Sequence, residues 1–318
     1  MQRLLAAASF LCVLLVSCRT TTNGFTGAAG AAPGSVNVSS VWQAMDGDTT
    51  STLWGVWGTS ARDVFAVGEG GVFHYDGTAW SPMGSPAADI LDGIWGSSSA
   101  DIFAVGEALQ AGGGYAGLIL HYDGRNWRNA GGSADLLAGI WGSSARDVYA
   151  VGDSGTILHY DGFSWRAVTG VTSSNLRAVW GTSATDVYAV GDRGTIVHYD
   201  GSTWRAEDSG IENLLWCIWG SSPSDIFAVG GGGTILRYDG HTWGDMNNSN
   251  TNVLWGIWGD SASDIFAVGH LGTRLHYDGH NWNDISAATP DSYHAVWGTS
   301  PADVFVVGDD GAILRFTG

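Results

Sequence analysis

Three observations predict an all-β protein. Trp-Gly pairs recur seven times at near-constant spacing, each unit offers four short apolar segments, and no segment shows an amphipathic helical period. The fold they specify is a seven-bladed β-propeller of four-stranded antiparallel blades, closed by an N-terminal strand that pairs in the last blade. The Trp-Gly pairs begin at Trp57, Trp95, Trp141, Trp180, Trp219, Trp258 and Trp297, at spacings of 38, 46 and then 39 four times.

Within a unit the strands follow in order. The first is LxGIWG, as in Leu137–Gly142, and the second D(V/I)(F/Y)AVG, as in Asp147–Gly152. The third is GTILHY, as in Gly155–Tyr160, and the fourth surrounds a second Trp, as in Ser164–Val168. Asp161-Gly162 between the third and fourth reads as a two-residue type I′ hairpin loop. A Gly-flanked turn such as Asp153-Ser154-Gly155 joins the second to the third. The strands are apolar on both faces, so both faces of each sheet are buried. That pattern suits blades packed radially.

The second Trp is present as Trp80, Trp127, Trp165, Trp204, Trp243 and Trp282, but the last unit ends ILRFTG without one. Trp42, 15 residues before Trp57, stands at the offset of 14 or 15 that the others keep. The segment around Trp42 therefore supplies the strand that residues 293–316 lack, and a ring closed this way leaves no open sheet edge. The propeller spans 38–318.

The chain has 318 residues, 44% hydrophobic, with a formal charge of −18. This is enough apolar material for a large core. The acidity argues against nucleic acid or anionic lipid as the main partner. All 13 basic residues are Arg, so Schiff-base chemistry on Lys is excluded. Cys217 is the single cysteine after residue 18, so the propeller holds no internal disulfide.

Residues 1–17 carry one Arg and an apolar run, Leu4 to Val16, too short for a comfortable span and suited to a signal-peptide core. The run ends Leu15-Val16-Ser17-Cys18, which resembles the bacterial lipobox. The resemblance implies export and acylation of Cys18, so that the membrane is met through the lipid only. The residue after Cys18 is not Asp, which by the same family rule implies the outer membrane of the cell envelope. Residues 18–37, rich in Gly, Ala and Thr, read as a flexible tether.

The pattern WG-S-x-x-D-(V/I)-(F/Y)-A-V-G…G-T-I-x-H-Y-D-G-x-x-W resembles secreted bacterial propeller repeats related to the Kelch and BNR-type propellers, from Val38 to Gly318. The units do not match the sialidase-type Asp box. The resemblance speaks for the fold; propellers host lectins, hydrolases, oxidases and scaffolds alike.

Residues present in every unit read as scaffold, since one active site does not need seven copies. The two Trp fill space between blades. The Ser three residues after each Trp and the Asp six residues after it, such as Ser144 and Asp147, read as turn-closing groups. The third strand carries His74, His121, His159, His198 and His276 but Arg237 and Arg315. A metal ligand does not become Arg; the shared property is donation, and the repeat Asp is the expected acceptor. Neither a metal nor a cofactor is implied.

Function is sought where the repeat is broken. Three residues before each Trp-Gly stand Trp54, Asp92, Ala138, Arg177, Trp216, Trp255 and His294. In a closed ring Trp216, Trp255, His294 and Trp54 are consecutive and form an aromatic arc where the innermost strands begin, at one mouth of the channel. Two readings of the three extra Trp stand side by side: a binding surface, or a plug that only packs. Asp92 and Arg177 are the polar candidates on the same rim. Glu107–Gly117 reads as a long loop at this mouth, and the acidic tips Glu69, Asp153, Asp192 and Asp309 as solvated charge.

The function expected is that of an exported, monomeric, non-enzymatic module that recognises a glycan or an envelope protein through the mouth. A glycoside hydrolase or lyase with channel carboxylates is the alternative, and a purely structural envelope protein a third.

Overall fold

The computed structural model describes residues 41–318 except 87, 89, 247 and 288. The signal segment, Cys18 and the tether lie outside the described residues. Seven four-stranded antiparallel sheets follow one another along the chain. The first strands are Leu53–Ser60, Ile90–Ser98, Leu137–Ser144, Leu176–Ser183, Leu215–Ser222, Leu254–Ser261 and Tyr293–Ser300. Each lies against the first strands of both neighbouring blades, and the seventh lies against the first. These strands line the channel, and the blades are numbered one to seven in their order.

Burial of both sheet faces is visible in the second strand of each blade. In Asp63–Gly68, Val64 and Ala66 enter the core shared with blade seven, while Phe65 and Val67 enter the core shared with blade two. A strand with period two thus feeds two inter-blade cores. Each fully buried Val or Phe contributes about 1.5–3 kcal/mol.

The Trp of each Trp-Gly pair crosses to the next blade and lies over that blade's Trp-Gly glycine. Trp57 covers Gly96, Trp95 covers Gly142, and so on round the ring to Trp258 over Gly298 and Trp297 over Gly58. A Cβ on Gly96 would stand 2.6 Å from the Trp57 ring. This close approach explains why Trp and Gly are written together: the Gly receives the ring that the previous Trp projects.

The ring is shut as expected. Val41–Ala44 pairs antiparallel with Ile313–Thr317, with Trp42 opposite Phe316. The Trp42 ring reaches Phe316 at 5.2 Å and Phe266 of blade six at 6.3 Å, and the Arg274 guanidinium lies 5.1 Å from its centroid.

Two expectations are corrected. The loop after Tyr160 has four residues, Asp161–Ser164, because Tyr160 already faces Trp165 in the ladder. Of its residues only Gly162 has positive φ, 88°. The Asp161 carboxylate accepts the N–H groups of Phe163 and Ser164, which bends the chain without a type I′ pair. Those backbone donors hold Asp161 below its ordinary pKa. The segment 107–117 is not a loop: Glu107 faces Gly117 and Leu109 faces Tyr115, so the insert lengthens a hairpin in blade two. Leu109 and Tyr115 are 58% and 45% exposed on this wing.

The turn between second and third strands is a single 3-10 turn in blades three to seven, such as Asp153–Gly155. Gly155 has φ 72°, and a Cβ there would meet the Thr172 carbonyl oxygen at 2.1 Å.

Candidate functional site

The repeated polar residues form a scaffold network within each blade, between its second and third strands. His74, His121, His159, His198 and His276 bring Nε2 to within 2.6–2.9 Å of the repeat Asp of their own blade. Arg237 and Arg315 donate Nε to Asp225 and Asp303 at 2.7 Å in the other two blades. The interchange has a second cause. Each imidazole stacks on the second-strand aromatic, from Tyr188–His198 at 3.9 Å to Phe266–His276 at 4.6 Å. The two guanidinium groups lie over Phe227 and Phe305 at 5.2 and 4.9 Å. Both residue types supply a flat donor for an aromatic face. The other Asp oxygen accepts from the hydroxyl that follows Trp-Gly, as from Ser221 and Thr299. The Ser one place further on accepts the turn N–H, as Ser144 does from Arg146. His, Asp and hydroxyl are thus consumed in holding the blade.

At the mouth, three of the four arc residues come together. The His294 imidazole lies between Trp54, at 4.2 Å, and Trp255, at 4.6 Å. Its Nε2 stands 2.7 Å from Asp309. His294 is 8% exposed, and its Nδ1 and the Trp54 Nε1 are buried without a hydrogen-bond partner. Trp255 also meets His270 edge to face at 5.7 Å. The hydrogen bond from His294 outweighs partial burial and holds Asp309 below the ordinary carboxylate range.

Trp216 takes a different partner: the Arg177 guanidinium lies 5.5 Å from its ring centroid. Arg177 also donates Nη1 to Asp153 of blade three at 3.1 Å, and Nε and Nη2 to Asp192 at 3.0 and 3.2 Å. Asn175 adds a bond to Asp192 at 2.9 Å. The side chain is 11% exposed, so its role is to tie two blades rather than to reach outward. Asp92 and Ala138 are half-buried on the same ring of positions. Cys217, beside Trp216, is a part-buried thiol whose pKa burial raises, so it stays protonated and inert.

The acidic tips are therefore not merely solvated: Asp153, Asp192 and Asp309 are partners of the arc. The signal was the register. The residue three before Trp-Gly sits beside the strand-end Gly of the next strand, so the residue after that Gly stands next to it. Around the ring those positions are Glu69, Glu107, Asp153, Asp192, Gly231, His270 and Asp309. With Asp92, six carboxylates and one arginine make a net negative collar about an aromatic floor. Asp153 and Asp192 are close to each other, but both accept from one guanidinium, which suits a carboxylate poorly for general-acid work. Near the outer rim, 248–252 with Leu271, Thr273 and Asp284 enclose a cleft of about 260 Å³.

The fold is a seven-bladed β-propeller. No protein-family model matches the chain, and no characterised protein matches it by sequence. Solved propellers match in structure. YCF48 bound to D1 peptide aligns with TM-score 0.70 at 15% identity over 87% of this chain and 97% of that one. YCF48 from Cyanidioschyzon merolae gives 0.67 at 15% identity, over 87% and 98%. The WD40 propeller domain of Doa1 gives 0.71 at 14% identity, over 87% and 97%.

Proposed function

We propose that this chain is a non-enzymatic protein-interaction module whose mouth receives a cationic segment of an envelope protein. The observation that carries the reading is the acidic collar around half-buried indoles. Carboxylates attract a cationic chain, and the faces of Trp54, Trp216 and Trp255 hold it by cation–π contact, each worth about 0.5–2 kcal/mol. His294, Asp309 and Arg177 lock the floor in place before binding. The solved propeller bound to a peptide supports this kind of use for the fold. Export and an acyl anchor at Cys18 are part of the proposal and rest on the Leu15–Cys18 motif, as kinship with secreted Kelch- and BNR-type propellers rests on the repeat pattern.

The test is calorimetric titration with Arg/Lys-rich and Asp/Glu-rich peptides, at low and high salt, beside a glycan array. The proposal expects binding of the cationic peptides alone, weakened by salt and by Trp54→Ala with Trp255→Ala. Glycan binding without peptide binding favours the lectin reading instead, and no binding of either removes the mouth as the site. Palmitate labelling lost in Cys18→Ala supports the anchor; an unlabelled wild type overturns it.

A further inference from the structure

The residue three after each outer-strand Trp fills the space toward the next blade. It is Met45, Met83, Val168, Met246 and Ile285 in five blades, and each packs into the core that holds the next blade's outer Trp. Blade four has Glu207 there. Its carboxylate accepts from Trp243 Nε1 of blade five at 2.7 Å and meets His198 Nδ1 at 3.1 Å.

Blade two breaks the rule. Trp127 is followed at this place by Ala130, then Gly131 and Gly132, with a bulge in the ladder. A pocket of about 490 Å³ opens between blades two and three, lined by Ala130, Gly131, His121, Phe163, Ser164 and Trp165 among others. Its walls correspond one for one to the surroundings of Glu207: Phe103 to Tyr188, His121 to His198, Tyr160 to Tyr238 and Trp165 to Trp243. His121 Nε2 is engaged by Asp101, as His198 Nε2 is by Asp186, so Nδ1 is the atom left to serve the pocket. The Trp165 Nε1 is buried and without a partner.

A second break in the repeat falls on the same pocket. The second residue after Asp of the Asp-Gly turn is Thr78, Arg125, Ser202, His241 and His280 elsewhere, but Phe163 here, 87% exposed at the rim. One departure removes an internal side chain and the other adds an aromatic edge beside the space. The pocket opens near the turns at the face opposite the mouth, so it is separate from the site proposed above.

We infer that this lateral pocket binds a small organic carboxylate with an apolar body. The carboxylate takes the place of the Glu207 side chain, accepting from Trp165 Nε1 and from Nδ1–H of His121 as the doubly protonated imidazolium, whose Nε2–H stays on Asp101, with Ser164 as a further donor. The apolar body lies against Tyr160 and Phe163. Contact with the indole N–H requires a small shift of the Gly131–Gly132 stretch, which has no side chains to move. Blade four shows that the same pair of donors accepts a carboxylate in this geometry.

The probe is phenylacetate, with neutral phenylacetamide as its isostere, read by calorimetry and by the Trp165 indole N–H resonance assigned through Trp165→Phe. A saturable shift of that resonance, with phenylacetamide at least tenfold weaker, is expected. Ala130→Glu fills the pocket from within: it moves the Trp165 resonance without ligand and abolishes binding. Phe163→Ser, a residue type the same turn carries in blade four, leaves the fold intact and weakens binding severalfold. Glu207→Ala opens the matching space and adds a second, equivalent site. A peptide ending in Phe with a free carboxylate tests the other source of the same group. No shift with phenylacetate, an equal response to the amide, or binding only of the peptide overturns the inference.

Discussion

The indole of Trp297 in the last blade rests on Gly58 in the first, so closely that a Cβ on Gly58 would lie 2.8 Å from the ring. The contact joins the two ends of the repeat array across the seam. Gly58→Ala forces the ring, or the Asp63 carbonyl at 2.6 Å, to yield. A loss of about 1–3 kcal/mol is expected, as for other overpacked sites. Gly84→Ala, with nothing within 4 Å of the added carbon, is the control and should be near neutral. Denaturant titration of both variants checks the difference.

Trp42 closes the sheet and fills the core between blades six and seven. Trp42→Ala should cost about 3–5 kcal/mol. Removal of Val41–Ala44 bares the edge of Ile313–Thr317 and should also promote association, visible by light scattering.

The third-strand histidines serve as flat donors, so His159→Arg should be tolerated within about 1 kcal/mol, because Arg237 and Arg315 already fill that place. His159→Ala leaves Asp147 without its partner and should cost about 1–3 kcal/mol. Thermal unfolding of the pair separates donation from any finer role of the imidazole.

Arg177 ties blade three to blade four through two carboxylates. Arg177→Met removes the ion pair from both, Asp192 keeping its Asn175 bond, and should destabilise by about 1–3 kcal/mol, less than a fully buried pair because the carboxylates are partly solvated. Arg177→Lys should recover only part of this, since an ammonium cannot repeat the fork. Urea unfolding measures both.

The Glu207–His198 contact predicts a pH dependence. Burial opposes the charge on His198, but its bonds to Glu207 and Asp186 outweigh this and raise its pKa above 6.5. Burial likewise opposes charge on Glu207, yet the His198 and Trp243 donors lower its pKa below 4.5. A raised histidine contributes fully below 6.5 and fades as pH rises through its folded value; a lowered carboxyl contributes above 4.5 and fades as pH falls. The stability difference between wild type and Glu207→Gln should therefore be greatest between 4.5 and 6.5. A difference that grows steadily toward alkaline pH contradicts the arrangement.

Much of this architecture is legible from the repeat. The spacing of Trp-Gly, the absent seventh outer Trp and the presence of Trp42 are enough to close the ring, because each is a one-dimensional count. The His–Asp pairing is legible too, since Arg at two of the seven places leaves only donation in common. The hairpin wing 107–117 was not, because Gly112, Gly113 and Gly114 mask a ladder that runs on to Leu109 and Tyr115. Nor was the split of the arc legible: Trp216 turns to Arg177, a choice set by two carboxylates on turns 15 and 24 residues away. The lateral pocket was not read either: Ala130 stands at a fixed offset from Trp127, but that this offset fills the space toward the next blade's outer Trp shows only in the packing.

The claim beneath all of this is that chain closure makes the irregular residues of blades six, seven and one neighbours. The direct measurement is a nuclear Overhauser contact between Trp54 and His294 in a sample protonated only in Trp and His rings. With centroids at 4.2 Å a strong cross-peak is predicted, together with one from His294 to Trp255 at 4.6 Å. Absence of the Trp54–His294 peak in the folded protein would contradict the closed ring and the mouth built on it.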